Sequence, residues 1–292
     1  MQIKKILCPV DFSEFSVRAY RHALSLAAHY DAAVLAMHVV ELWKYPYAEY
    51  AASSGDYANF QRALDKGGKE LLQEFVKKYP HDKIKPELAI CEGRAPDSIL
   101  AFAREQKVDG IVMGTHGRRG FDRLMLGSTT DRVMREASCP IIAVCKPTHE
   151  SIAHVGEHPV HHLHRVLLCT DFSEHAERAL EWAISVTEEY DAELTMLHIV
   201  EGAQSRQGQA MATAEKQLST LIPAEKRNTL KVQTAVRMGK PYQCIIDYAR
   251  EASTDLIAMG ARGAGALDRA IFGSTTYRVI QLGPCPVLSV HV

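Results

Sequence analysis

Residues 114–133 read GTHGRRGFDRLMLGSTTDRV, and residues 260–279 read GARGAGALDRAIFGSTTYRV. Gly114, Gly117 and Gly127 share their spacing with Gly260, Gly263 and Gly273, and each set follows a short apolar run, GIVM or LIAM. In an open α/β sheet, ligands bind beyond the carboxyl ends of the strands, where such loops lie. The first two glycines permit main-chain conformations and close approaches that a side chain would block. The third precedes Ser128 and Thr129, or Ser274 and Thr275, at the start of a helical pattern. The free N–H groups and positive dipole end of that helix favour an anion, most naturally a phosphate. A purely structural alternative is that Ser128 and Ser274 cap the helix while the glycines turn the chain. The first loop carries the cations Arg118, Arg119 and Arg123, the second Arg262 and Arg269, so the second is expected to hold phosphate less tightly.

The duplication extends well beyond these loops. KKILCPVDFSE returns as HRVLLCTDFSE, and YDAAVLAMHVVE as YDAELTMLHIVE, with Asp171 and His198 standing 160 positions after Asp11 and His38. From Gly93 and Gly239 onward the offset is 146, so the second copy is 14 residues shorter somewhere between residues 42 and 92. KKILCPV, AAVLAMHVV, KPELAIC, GIVMG and PIIAVC are short apolar runs without clean alternation, as strands buried on both faces require. The segments between them carry helical spacing, so each copy is expected to be a doubly wound α/β domain with a parallel sheet. The expected division is domain 1 at 1–147, a linker at 148–163 and domain 2 at 164–292. The linker is polar, with five histidines between His154 and His164, and shows no convincing metal-ligand context.

A formal charge of −1 on 292 residues, 47% of them hydrophobic and 24% charged, gives no global pull toward nucleic acid. No apolar run spans a bilayer, and the first residues enter a strand pattern, so a cytoplasmic protein without membrane association is expected. The seven cysteines form no CxxC pair and sit mostly in apolar runs, as buried thiols of a reducing compartment do. Neither GxxxxGK[ST] nor GxGxxG after the first strand occurs, which removes the P-loop and the dinucleotide fingerprint.

With G-x2-G-x9-G-[ST] in both halves, the chain resembles the universal stress protein family over nearly its whole length, as two tandem copies. The resemblance implies, for each half, a five-stranded parallel sheet flanked by helices, Rossmann-like and of the adenine nucleotide alpha hydrolase type, binding ATP at the strand ends. Asp11 and Asp171 match the family's aspartate near the adenosine; Val39 and Ile199 match the position whose main chain meets adenine. Gly114, Gly117, Arg118, Gly127, Ser128 and Thr129, with Gly260, Gly263, Gly273, Ser274 and Thr275, match the phosphate loop. The family's glycine-x-proline stands only in the second half, as GKP against GRAPD. The resemblance also implies that the closing strands PIIAV and PVLSV pair edge to edge as an intramolecular pseudo-dimer, with a homodimer left open.

Asp11-x-x-Glu14 and Asp171-x-x-Glu174 also fit a capping box, and His38 and His198 read as satisfied core histidines. The implied activity is that of a nucleotide-dependent stress sensor or regulator with an unknown protein partner, with Mg²⁺ left open. A slow ATPase or adenylyl-transfer enzyme is the rival, although the loops offer Asp122 and Asp268 without a histidine-supported base. A third reading is an interaction module, with Trp43, Tyr45, Tyr47 and Tyr50 as its surface or as a cap over the first cleft.

Overall fold

The computed structural model describes residues 3–45, 56–117, 126–145, 152–155, 158–201, 207–227, 229–263 and 272–291. Its first half runs β1 (Lys5–Pro9), α1 (Glu14–Tyr30), β2 (Ala33–Val40), α2 (Tyr57–Lys78), β3 (Glu87–Glu92), α3 (Ala95–Glu105), β4 (Gly110–Gly114), α4 (Ser128–Glu136) and β5 (Ile141–Val144). A hairpin of β6 (Ile152–Val155) and β7 (His158–His161) follows. The second half then repeats the order as β8 (Arg165–Cys169), α5 (Glu174–Tyr190), β9 (Glu193–Val200), α6 (Gln207–Leu221), β10 (Lys231–Met238), α7 (Pro241–Glu251), β11 (Leu256–Gly260), α8 (Ser274–Leu282) and β12 (Val287–Val290).

All ten major strands form one sheet, in the order β10-β9-β8-β11-β12-β5-β4-β1-β2-β3. Pairing is parallel within each half, as buried apolar strands joined by helical crossovers require. The halves meet where β12 runs antiparallel to β5, with Leu288 opposite Ile142. Each closing strand thereby covers the other's unpaired edge, the pairing that the family resemblance implies.

One apolar layer lies on each face of this sheet and runs through both halves. Tyr20 of α1, Leu72 of α2, Trp182 of α5 and Leu218 of α6 fill one side. Ile99 of α3, Val133 of α4, Ile245 of α7 and Val279 of α8 fill the other. The seam between halves also carries polar contacts between α1 and α5. Tyr30 and Ser185 hydroxyls stand 3.0 Å apart, and the His29 ring stacks on Tyr190 at 3.8 Å.

The segment expected as a plain linker contains the β6–β7 hairpin, which pairs Val155 with His158 and lies along α1. The alternation of IAHV and HPVH around a Gly-Glu dipeptide was the available hairpin signal, masked by the histidine-rich composition. His162 and His164, just beyond, stack in parallel at 5.7 Å. No described helix is long and apolar enough to cross a membrane.

Candidate functional site

The carboxyl ends of β1, β2 and β4 converge on the first site, and those of β8, β9 and β11 on the second. After β1 the chain turns sharply at Phe12, whose φ of 64° lies in the left-handed region; Phe172 repeats this with 62°. Such a conformation is uncommon for a bulky residue and marks a held turn. Two interactions hold it. The Val10 carbonyl lies 2.7 Å from His38 Nδ1, and the Thr170 carbonyl 2.8 Å from His198 Nδ1. Each imidazole also packs on the turn's Phe, Phe12 or Phe172, with ring centroids 4.6 Å apart. Both histidines are thus satisfied, and they tie the second strand to the turn that presents the aspartate.

Asp11 does not cap α1, so the capping-box expectation is corrected. The cap is Ser13, whose Oγ accepts from the Ser16 N–H at 3.2 Å. Asp11 Oδ1 accepts from the Ser13 N–H and Oγ–H at 3.0 and 2.6 Å. In the second half Asp171 Oδ1 holds Ser173 at 3.1 and 2.6 Å, and Ser173 caps α5. The short side chain of aspartate reaches its own main chain two residues on more readily than it starts a helix three residues on.

The other aspartate oxygen faces the glycine loop. A Cβ on Gly117 would lie 2.7 Å from Asp11 Oδ2, and one on Gly263 2.8 Å from Asp171 Oδ2. Gly114 and Gly260 serve a different end. A Cβ there would sit 2.7 Å from Phe15 Cβ or 2.8 Å from His175 Cβ, and 2.9 Å from that residue's carbonyl carbon. These first glycines let the opening turn of α1 or α5 rest on the strand end, a packing role within the chain.

Gly127 and Gly273 occupy the N-cap positions of α4 and α8, with no side-chain cap hydrogen bond at either. Their own N–H groups are fixed to the Thr115 and Ala261 carbonyls, both at 2.9 Å. Thr130 and Thr276 donate to the Gly114 and Gly260 carbonyls at 2.8 Å and pin each helix to its strand. Ser128 and Ser274 are the first helical residues instead of caps, exposed beside half-buried Thr129 and Thr275. The first-turn N–H groups of both helices are therefore uncapped by side chains and face the site, an arrangement that suits an anion. Arg118, Arg119, Asp122, Arg123, Asp268 and Arg269 lie outside the described residues.

Around the second site the structure encloses a cleft of about 1130 Å³. Its lining combines the apolar Phe172, Leu197, Ile199 and Met259 with Arg262, Gly263 and Gly273 to Thr276. Helix α6 roofs it through Thr213 and Gln217. Val39 and Ile199, the positions expected beside a base, are half-buried on the second strand of each half, opposite Cys91 and Arg237.

Between α2 and β3 of the first half, a hollow of about 540 Å³ is lined by Asp65, Lys66, Lys69, Ile90 and Glu92. Gln61 Nε2 donates to both Glu92 carboxylate oxygens at 2.7 and 2.6 Å. Burial and a hydrogen bond to Glu92 raise the Asp65 carboxyl above the usual range. Met211 and Met238 occupy the equivalent positions in the second half.

Sequence reasoning missed Ser13, Ser173, Thr130 and Thr276, although DFSE and GSTT recur in both copies and carried the signal. It also missed His175 and His291, which differ between the copies and so left no repeat to notice. His175 lies beside the Val290 carbonyl, and His291 beside the Met134 carbonyl of α4 in the other half.

Comparison with known proteins agrees with the duplicated architecture. The profile described as "Universal stress protein family" matches residues 2–144 and 162–291. Universal stress protein MJ0531 of Methanocaldococcus jannaschii is 36% identical over 147 residues, covering 50% of this chain and 85% of its own. Universal stress protein Slr1230 of Synechocystis is 23% identical over 313 residues, covering 98% and 99%. The crystal structure of a universal stress protein from Archaeoglobus fulgidus superposes with a TM-score of 0.72 at 24% identity, covering 99% of this chain and 96% of its own, which shows the fold.

Proposed function

The chain belongs to the universal stress protein family, and from that premise we propose that each half binds an adenine nucleotide, ATP, and that occupancy sets the conformation offered to partners, with little or no catalysis. The observation that carries this reading is the second cleft, whose lining brings apolar side chains together with a helix start whose N–H groups have no side-chain cap. A flat base suits the first and a polyphosphate the second. About 1130 Å³ is ample for a nucleotide. Gly263 and Gly273 keep the loop folded against Asp171 and the Arg262 main chain, leaving the cleft open above them. The first half repeats the turn, the aspartate contact and the uncapped helix, which supports a second site of the same kind.

Isothermal titration of ATP, with and without Mg²⁺, tests the reading in Gly117→Val and Gly263→Val chains. Each substitution pushes a side chain against the aspartate carboxylate and is expected to weaken its own site by at least about tenfold, or ~1.4 kcal/mol. The thermal midpoint should hardly move. Unchanged affinity in both chains would overturn the assignment.

A further inference from the structure

The second loop differs from the first in what lies beneath it. Arg262, His175 and His291 form one cluster, whereas the matching residues of the first half are His116, Phe15 and Cys145. Arg262 Nε, His175 Nδ1 and His291 Nε2 are all buried without a hydrogen-bond partner. His175 supports Gly260 directly, and the His291 ring lies 6.1 Å from that of Phe272, which lines the same cleft. Three buried nitrogen groups, one permanently cationic, thus stand behind a loop whose open side faces the cleft.

The charges around the two imidazoles are few. Arg262, Glu174 and Asp171 face His175, and Arg262 and His175 face His291, with the Val290 and Met134 carbonyls beside them. Burial first, and then the Arg262 charge, hold both imidazoles below the usual histidine range, His291 at about 4. An anion placed against Arg262 reverses that second effect, because opposite charge at close range favours the protonated imidazole.

We propose that the second cleft is a proton-coupled anion site, in which a polyphosphate seated at Arg262 and the start of α8 draws a proton onto His175 or His291. This rests on the nucleotide reading only for the identity of the anion. Coupling is reciprocal: an anion that promotes protonation binds more tightly as the pH falls. Through the Met134 carbonyl, the same proton reports at α4, the helix that opens the first site.

The test uses the full chain and a His175→Phe, His291→Cys double variant, which carries the residues the first half already tolerates at those positions. ATP is titrated between pH 7 and pH 5 in buffers of different ionisation enthalpy, with reductant present. The ligand's own protonation is common to both proteins and cancels in their difference. Wild type should take up more protons on binding than the variant, and its second-site affinity should rise by up to about tenfold per pH unit. Equal uptake in both proteins overturns the proposal.

A second measurement is independent of the nucleotide assignment. The His175 and His291 imidazoles of the wild-type chain are titrated by NMR, with and without inorganic triphosphate. A raised midpoint with triphosphate but no ATP binding would keep the proton-coupled site and reject the nucleotide. Midpoints of both imidazoles unmoved by triphosphate and by ATP overturn the proposal.

Discussion

The two halves share a fold, a turn and a glycine loop, yet they differ in the surroundings of each. In the first half, an acidic pair, Asp65 and Glu92, stands between α2 and β3, and Phe15 lies under the loop. In the second, Met211 and Met238 take the acids' places and His175 lies under the loop. The elements common to both copies are those that shape the turn, the glycine loop and the uncapped helix start. The elements that differ set the electrostatics around them. Duplication has thus kept one geometry while allowing two chemical environments.

The sharpest way to break the equivalence of the glycines is to substitute them singly. Gly114→Ala and Gly260→Ala each force a Cβ against main-chain atoms at 2.9 Å, which the helix cannot evade by a rotamer change. Each should cost about 3 kcal/mol in denaturant unfolding, equally in both halves. A neutral result would mean that α1 and α5 do not rest on the strand ends as described.

Acid should separate the halves next. His291 is held near 4 and His175 is also lowered, whereas an unfolded chain binds those protons near 6.5. The unfolded state therefore binds more protons between these values, and stability falls as the pH drops from about 6.5 toward 4. The loss should be on the order of 2–3 kcal/mol for His291, read from urea midpoints against pH. His291→Cys should flatten that slope, and a slope unchanged in the variant would place its origin elsewhere.

The caps offer a gentler comparison. Ser13→Ala should cost about 1 kcal/mol, and Ser173→Ala somewhat less, because its hydrogen bond is 3.4 Å against 3.2 Å. The smallest effect is expected at the acidic pair. Asp65→Asn removes one carboxylate from a half-buried acidic pair and should change stability by less than about 1 kcal/mol. It should still alter hydrogen exchange in the first turns of α2, where Gln61 is held by Glu92.

The order of strands and helices was legible because buried parallel strands need unbroken apolar runs and crossovers need helical spacing. The β5–β12 join was legible only through the family resemblance, which implied pairing of the last strands, and it covers the edge that each closing strand would otherwise leave bare. Only the capping-box alternative for Asp11 was misread: a capping box and an aspartate holding its own turn share the same DxSE letters. The difference lies in the positive φ of Phe12, which no residue type announces. Gly114 and Gly117 look alike in sequence, and only the positions of Phe15 and Asp11 separate a packing glycine from one beside the site. His291 was invisible for a plainer reason. Its neighbours Arg262, His175 and Met134 come from segments 29 to 157 residues away in the chain, brought together by the seam.

The central claim is that both halves hold an adenine nucleotide. The most direct test is to denature the protein as purified, identify any released nucleotide by chromatography and mass, and count moles per chain. The account predicts ATP or its hydrolysis product in the released fraction, rising to one nucleotide for each half when the chain is first saturated with Mg-ATP. No nucleotide released, and none bound on addition of Mg-ATP, would contradict it and leave two glycine loops that keep the shape of a cradle with nothing to hold.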